Sequence, residues 1–291
     1  DASWGSIKLG KDLGIFASDA ILNDMTLLGV GSASGNRVGS TTTLGRIGTG
    51  YIYADWKNQV AYTSPNFNGL SFTAGVSQAF QQVKVNGGAA STQMGGGEPA
   101  FEAKASYAFA ADAVTGKVWV SGISQKVQGL TNGSAAGVNA AGTAFAAAVA
   151  NTVSDTASRA EAFDVGANIN AAGFGLTGYY FNGKGIGHQA QMFGGFDSTG
   201  AKRDSDGYYA QATYALPGVG TKLGVSYGES QQDTNNAKTT EKKNEMWTVG
   251  AYHPLTKHVN LVAEYSEAKN LVTGSATTKS DTISAGAILF F

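Results

Sequence analysis

Apolar and polar residues alternate with period two along most of the chain, the spacing that sends successive side chains to opposite faces of a β-strand. The pattern is cleanest over 101–109. Phe101, Ala103, Ala105, Tyr107 and Phe109 share one face there, and Glu102, Lys104 and Ser106 share the other. Leu70, Phe72, Ala74 and Val76 alternate with Ser71, Thr73, Gly75 and Ser77, and Phe163, Val165, Ala167 and Ile169 alternate with Asp164, Gly166 and Asn168. The same holds for Phe174, Leu176 and Tyr180 against Gly175, Thr177 and Tyr179, and for Leu223, Val225 and Tyr227 against Lys222, Gly224 and Ser226. Val259, Leu261, Ala263 and Tyr265 alternate with Asn260, Glu264 and Ser266, with Val262 as the exception. The pattern predicts about twelve strands, near 3–10, 57–64, 70–82, 100–109, 117–127, 160–170, 173–183, 206–216, 221–231, 244–253, 258–268 and 281–291.

The connections between these strands alternate in length. Short turns fall at 64–69, 110–116, 171–173, 217–220 and 254–257, and long polar loops at 83–99, 128–159, 184–205, 232–243 and 269–280. Short turns at one end and long loops at the other are what a transmembrane antiparallel barrel requires, and a soluble sandwich has no need of them. Aromatics gather near strand ends (Phe72, Phe109, Phe174, Tyr180, Tyr208, Tyr214, Tyr265, Phe290, Phe291), as interfacial girdles would. The expected fold is therefore all-β, a transmembrane antiparallel β-barrel in one domain over 1–291. One connection breaks the rule. Residues 11–56 do not alternate, and Ile21, Met25 and Leu28 have helical spacing behind Ser18 as an N-cap. A connection so long and so apolar is usually functional.

Composition agrees with this picture. Glycine is plentiful (41) and proline scarce (4), as many strands and turns require. Charged residues make up only 14%, and the mean hydropathy is slightly negative, as expected where only alternate residues face lipid. No apolar run is long enough for a transmembrane helix. The Ala-rich run over 135–150 is broken by Asn139, Gly142 and Thr143 and reads as a small-residue loop with room for a helical turn. A net charge of −1 offers nothing to nucleic acid, and the absence of cysteine removes disulfides and thiolate metal sites. The start, Asp1-Ala2-Ser3-Trp4, lacks the features of a signal peptide, which predicts a mature form or a missing beginning.

Two segments carry a family resemblance. Trp4-Gly-Ser-Ile-Lys-Leu-Gly-Lys-Asp12 resembles the strand before the inward-folded third loop of general Gram-negative porins. Asn58-Gln-Val-Ala-Tyr-Thr-Ser-Pro-Asn-Phe-Asn-Gly-Leu70 resembles the hairpin after it. Phe291, sharing a face with Ile283 and Leu289, resembles the assembly signal of outer-membrane barrels. The resemblance is nearest to the porins of β-proteobacteria. It implies a homotrimer of barrels of about sixteen strands in outer-membrane lipid, each with a water-filled pore narrowed by the third loop. It also implies that about four strands precede those counted here, so that the chain lacks the family's first strands and the basic cluster they carry.

A porin breaks no bonds; it sorts solutes by width and local field. On that reading ions and small hydrophilic solutes are the partners, and no cofactor or metal is expected. The resemblance makes 11–56 the constriction loop, with Asp19 and Asp24 lining it and Arg37 and Arg46 opposing them. The bland alternatives are an Asp19 that serves the helix start, a solvated Asp24, and surface or trimer-contact arginines. Alternation points Lys8, Glu102, Lys104, Asp164, Lys222 and Glu264 into the lumen, because a lysine at mid-depth on the lipid face would cost about 2–4 kcal/mol. Gly183-Lys-Gly-Ile-Gly187 reads as loop, Asp204-Ser-Asp-Gly207 lacks the later calcium ligands, and His253 and His258 merely flank a turn. An adhesive or structural barrel and a barrel enzyme are the alternatives. No Ser-His arrangement on paired strands supports the enzyme.

Overall fold

A computed structural model of the chain describes residues 3–27, 29, 45–80, 83–84, 98–127, 130–134, 137–138, 145–146, 149–154, 158–197, 201–234 and 241–291. Twelve strands form one antiparallel sheet in sequence order. They are β1 (Ser6–Leu13), β2 (Trp56–Thr63), β3 (Leu70–Ser77), β4 (Ala100–Ala111), β5 (Val114–Val127), β6 (Ser158–Ala171), β7 (Phe174–Lys184), β8 (Asp204–Ala215), β9 (Lys222–Gln232), β10 (Lys242–Thr256), β11 (Val259–Val272) and β12 (Thr278–Leu289). Each predicted strand is present. β1 and β12 stand at the two edges of the sheet. No helix among the described residues is long and apolar enough to cross a membrane, a test that says nothing about strands.

Register keeps the two faces distinct. Val60 pairs with Val76, Phe101 with Val76, Val165 with Val120 and Tyr180, and Leu223 with Tyr214, all on the outer face. Those side chains have no soluble core to enter. Val60, Phe72, Phe163, Phe174, Leu176 and Val225 are all exposed, a continuous apolar surface suited to lipid. The inner face is the covered one: Glu102, Ser121, Asp164, Thr177, Gln211, Ser226 and Thr248 are buried.

The sheet is rolled. β6 and β11 would lie about 24 Å apart in a flat sheet, at about 4.8 Å per strand. Yet Ala17 donates to Asp164 on β6, and Met25 packs against Val262 on β11. A five-residue helix, α1 (Ser18–Leu22), lies within the segment that links the two contacts. A helix rises only about 1.5 Å per residue, so the wall must curve round the connection that carries it.

Three details depart from the sequence reading. The N-cap of α1 is Ala17, in the left-handed region at φ 64°, and Ser18 is its first residue, with its Oγ donating to the carbonyl of Ile15. The helix stops at Leu22, so Met25 reaches the wall from a turn, and Leu28 lies outside the described residues. Parts of the Ala-rich run form short ladders, Gly137–Val138 with Phe145–Ala146 and Leu130–Ser134 with Val149–Ser154, where a loop was expected.

Candidate functional site

The inner face is built around the connection between β1 and β2, which folds inward and is held by wall side chains on one strand after another. Glu102 accepts the backbone N–H of Phe16 at 2.8 Å, and Asp164 accepts that of Ala17 at 3.1 Å. Ser121 and Tyr179 donate to Asp164 in turn, at 2.6 and 3.1 Å. The Tyr209 hydroxyl donates to the carbonyl of Ala20 at 2.8 Å. Gln211 accepts from the Met25 N–H at 2.9 Å and donates to the Asn23 carbonyl at 2.7 Å. Farther along, Ser230 accepts from the Gly50 N–H at 2.9 Å, and Asn244 donates to the Gly48 carbonyl at 3.0 Å. Backbone groups with no strand partner are thus satisfied by polar residues that alternation had placed on this face.

Glu102 also accepts from the Lys57 Nζ at 2.5 Å and from Ser77 at 2.6 Å, in a pair with almost no solvent exposure. Glu264 is buried and accepts from the Tyr252 hydroxyl at 2.6 Å. The three wall carboxylates expected to line the pore are therefore on the lumen face, but engaged beneath or beside the loop.

Asp24 and Arg46 require a correction of the same kind. Asp24 accepts from Tyr51 (2.8 Å), from the Thr26 hydroxyl (2.8 Å) and from the Arg46 N–H (2.9 Å), with the Arg46 guanidinium 3.9 Å away. Arg46 is completely buried, and its Nη1 donates to the Met246 carbonyl at 3.0 Å. The two charges meet inside the loop and clasp its two limbs together. Arg37 lies outside the described residues.

Asp19 behaves differently. Its carboxylate sits between two wall lysines, Lys104 at 2.8 Å and Lys117 in direct contact. Burial by itself would raise its pKa, and the two ammonium groups outweigh that, so the carboxyl titrates below its usual range. Lys104 is 20% and Lys117 34% exposed against 4% for Asp19, so water meets the lysines first. Lys117 was missed in the sequence, although its alternation with Val118 and Val120 places it on the polar face. Lys222 faces the same lumen with no carboxylate partner among the described residues. Lys8 pairs with Asp12 on β1.

A second connection also enters. The connection over 184–205 was expected to be a polar outer loop, yet Ile186, Met192 and Phe196 are wholly buried with Phe181, Ala160 and Val127. The Tyr53 N–H donates to the Gln189 carbonyl at 3.0 Å, and the Lys57 Nζ donates to Gln191 at 2.7 Å. This segment therefore packs on the end of the first loop. A Cβ on Gly195 would lie 2.1 Å from the Gly185 carbonyl oxygen, so the fold of this segment needs glycine there. His188 is buried with no partner for Nδ1 among the described residues. Burial pushes its pKa down to about 3, with Lys242 and Arg203 adding repulsion.

A strand wall with an apolar outside, a polar inside and loops folded into the lumen defines an outer-membrane channel of the porin kind. The chain belongs to the Gram-negative porin family, whose model matches residues 1–272. It forms a porin-type pore in the outer membrane for passive diffusion. Among solved structures it is similar to the outer-membrane channel DcaP of Acinetobacter baumannii, with TM-score 0.67 and 13% identity over 98% of this chain and 72% of that one. It is also similar to OmpT of Vibrio cholerae, with TM-score 0.57 and 15% identity over 100% and 78%. An anion-selective porin from Comamonas acidovorans gives TM-score 0.55 and 15% identity over 99% and 72%. A search of the curated proteins found no match.

Proposed function

We propose that the connection over 11–56 sets the pore's constriction and that Asp19, flanked by Lys104 and Lys117, is its charged filter. The observation that carries this reading is the uneven neutralisation of the lumen. Glu102, Asp164, Asp24 and Glu264 are buried and hydrogen-bonded, whereas Lys104 and Lys117 outnumber the one carboxylate between them and keep contact with water. A field of that sign favours small anions over cations in passive diffusion. Anion selectivity in the similar Comamonas porin agrees with this. The channel works without catalysis: solutes move down their gradients past fixed charges. Assembly as a homotrimer in outer-membrane lipid is part of the same proposal, and the outward row ending at Phe291 is the segment proposed to signal that assembly. Arg37, Lys8 and Lys222 are proposed as further charges along the water path.

Planar-bilayer recording tests the reading. Stepwise conductance is expected, with a reversal potential on the anion side under a salt gradient. Asp19→Asn should move that potential further toward anions. Ion-tight bilayers at high protein would reject the pore, and an Asp19→Asn reversal potential identical to that of the parent would reject the filter.

A further inference from the structure

The alternation of β11 fails at one place: Val262 points into the lumen. It is joined there by Tyr252 of β10 and Ile288 of β12, in one cluster with Met25 of the inward loop. Apolar side chains on a water-facing wall need a reason. Docking of Met25 accounts for part of the patch, since a Cβ on Gly224 would lie 2.5 Å from the Met25 sulfur. It does not account for Leu22, which remains 60% exposed beside it.

These residues form one side of a cavity of about 340 Å³ at the short-turn end of the lumen, within the size range of small-molecule sites. The lining also has polar groups: Lys222 is the cross-strand neighbour of Tyr252 and Asn260 that of Ile288, and Asn168 and Asn170 come from β6. Asn170 donates to Asn168, and Asn168 donates to Thr177, so these two form a connected amide row with fixed orientation. Asp24 is the one carboxylate in the lining, and its oxygens are taken up by Tyr51, Thr26 and Arg46. Among the described residues, Lys222 is thus the one full charge in the lining without an ion-pair partner. An apolar side, an amide row and a single free ammonium together match an amphiphilic monoanion better than a hydrated inorganic ion.

We infer that this cavity is a subsite for small organic monocarboxylates with an apolar body, with Lys222 taking the carboxylate and Leu22, Val262 and Ile288 the body. The inference rests on the pore reading above and adds a solute class to it. The subsite adjoins the proposed filter, since Asn168 in its lining is the cross-strand neighbour of Lys117.

Benzoate, acetate and benzyl alcohol are the probes, read as block of chloride current in planar bilayers and by calorimetry of the whole chain in detergent micelles. Benzoate should block saturably, acetate more weakly and benzyl alcohol least. Lys222→Gln should raise the half-blocking benzoate concentration about tenfold or more, and Lys222→Arg should largely restore it. Val262→Ser should weaken benzoate about three- to tenfold and leave acetate unchanged. Equal block by benzoate and benzyl alcohol, or benzoate block unaltered in Lys222→Gln, would overturn the subsite while chloride steps persisted. If chloride steps were absent altogether the pore reading would fall, and calorimetry would still decide the subsite: heat of benzoate binding lost in Lys222→Gln supports it, and no saturable heat in the parent chain rejects it.

Discussion

The two connections that enter the lumen share one buried apolar cluster, to which the first gives Phe16, Ile21, Tyr51 and Ile52 and the second Ile186, Met192 and Phe196, and they differ in what is added to it. The first, between β1 and β2, leans on the wall through charge and hydrogen bonds: Glu102 and Asp164 take its backbone N–H groups, and Gln211 and Tyr209 bond to the helix end. The second, over 185–203, is held mainly by apolar burial of Ile186, Met192 and Phe196. The first is a strut whose atoms are fixed in direction, which suits a charged filter. The second is a wedge that fills space behind the strut and reaches it through Gln189 and Gln191. Directional bonds set geometry closely but fail together when one charge is removed; apolar packing loses stability in proportion to what is cut away.

Removing one charge from the strut should have the largest effect. Glu102→Ala leaves the buried Lys57 without its carboxylate and orphans the Phe16 N–H, which should cost about 3–5 kcal/mol. Urea unfolding monitored by gel mobility measures it, and a loss under about 1 kcal/mol would deny the strut its role. Cutting the wedge comes next. Phe196→Ala should cost about 3 kcal/mol and increase open-channel noise while leaving the reversal potential in place, because the filter lysines are untouched. A shifted reversal potential in that variant would erase the distinction between the two loops.

Acid separates them further. His188 has a folded-state pKa below its ordinary 6.5, so the fold favours the neutral ring. Its contribution is fully present above pH 6.5 and is lost as pH falls from there toward 3. At pH 5 the loss should be on the order of 2 kcal/mol, felt as undocking of 185–203. Hydrogen exchange across that segment at pH 7.5 and pH 5 reads it, and His188→Asn should flatten the response. Asp19 has the same sign in a lower window: its pKa is also depressed, so its ion pairs persist from neutral pH down to the usual carboxylate range and are lost only as pH falls below it. The smallest effect on stability belongs to a filter lysine. Lys117→Gln should change unfolding by about 1 kcal/mol or less, as this lysine is partly exposed and Asp19 keeps Lys104, yet move the reversal potential toward cations.

Much of this was legible in the residues. Period-two alternation located all twelve strands, because the side-chain period of a strand is set by covalent geometry alone. The inward position of the first loop was also readable, since a long apolar stretch with helical spacing has no place at an exposed tip. The second loop carried a fainter signal in the same terms, Ile186, Met192 and Phe196 set among glycines. Polar neighbours masked it, and composition cannot say whether a loop turns in or out.

What the sequence determined by itself was which face of each strand meets water. Lys104, Glu102, Asp164, Lys222 and Glu264 all stand on the lumen side, as alternation requires. Only the tertiary structure decided what those charges do there. Glu102, Asp164 and Glu264 are absorbed by the loop and its surroundings, Asp24 and Arg46 close on each other, and Asp19 is left between two lysines. The reason is physical: a face is fixed by neighbours along the chain, but a charge is neutralised by groups that lie close in space. Asp19 and Lys117 are 98 residues apart in sequence and touch only because the wall is rolled around the loop.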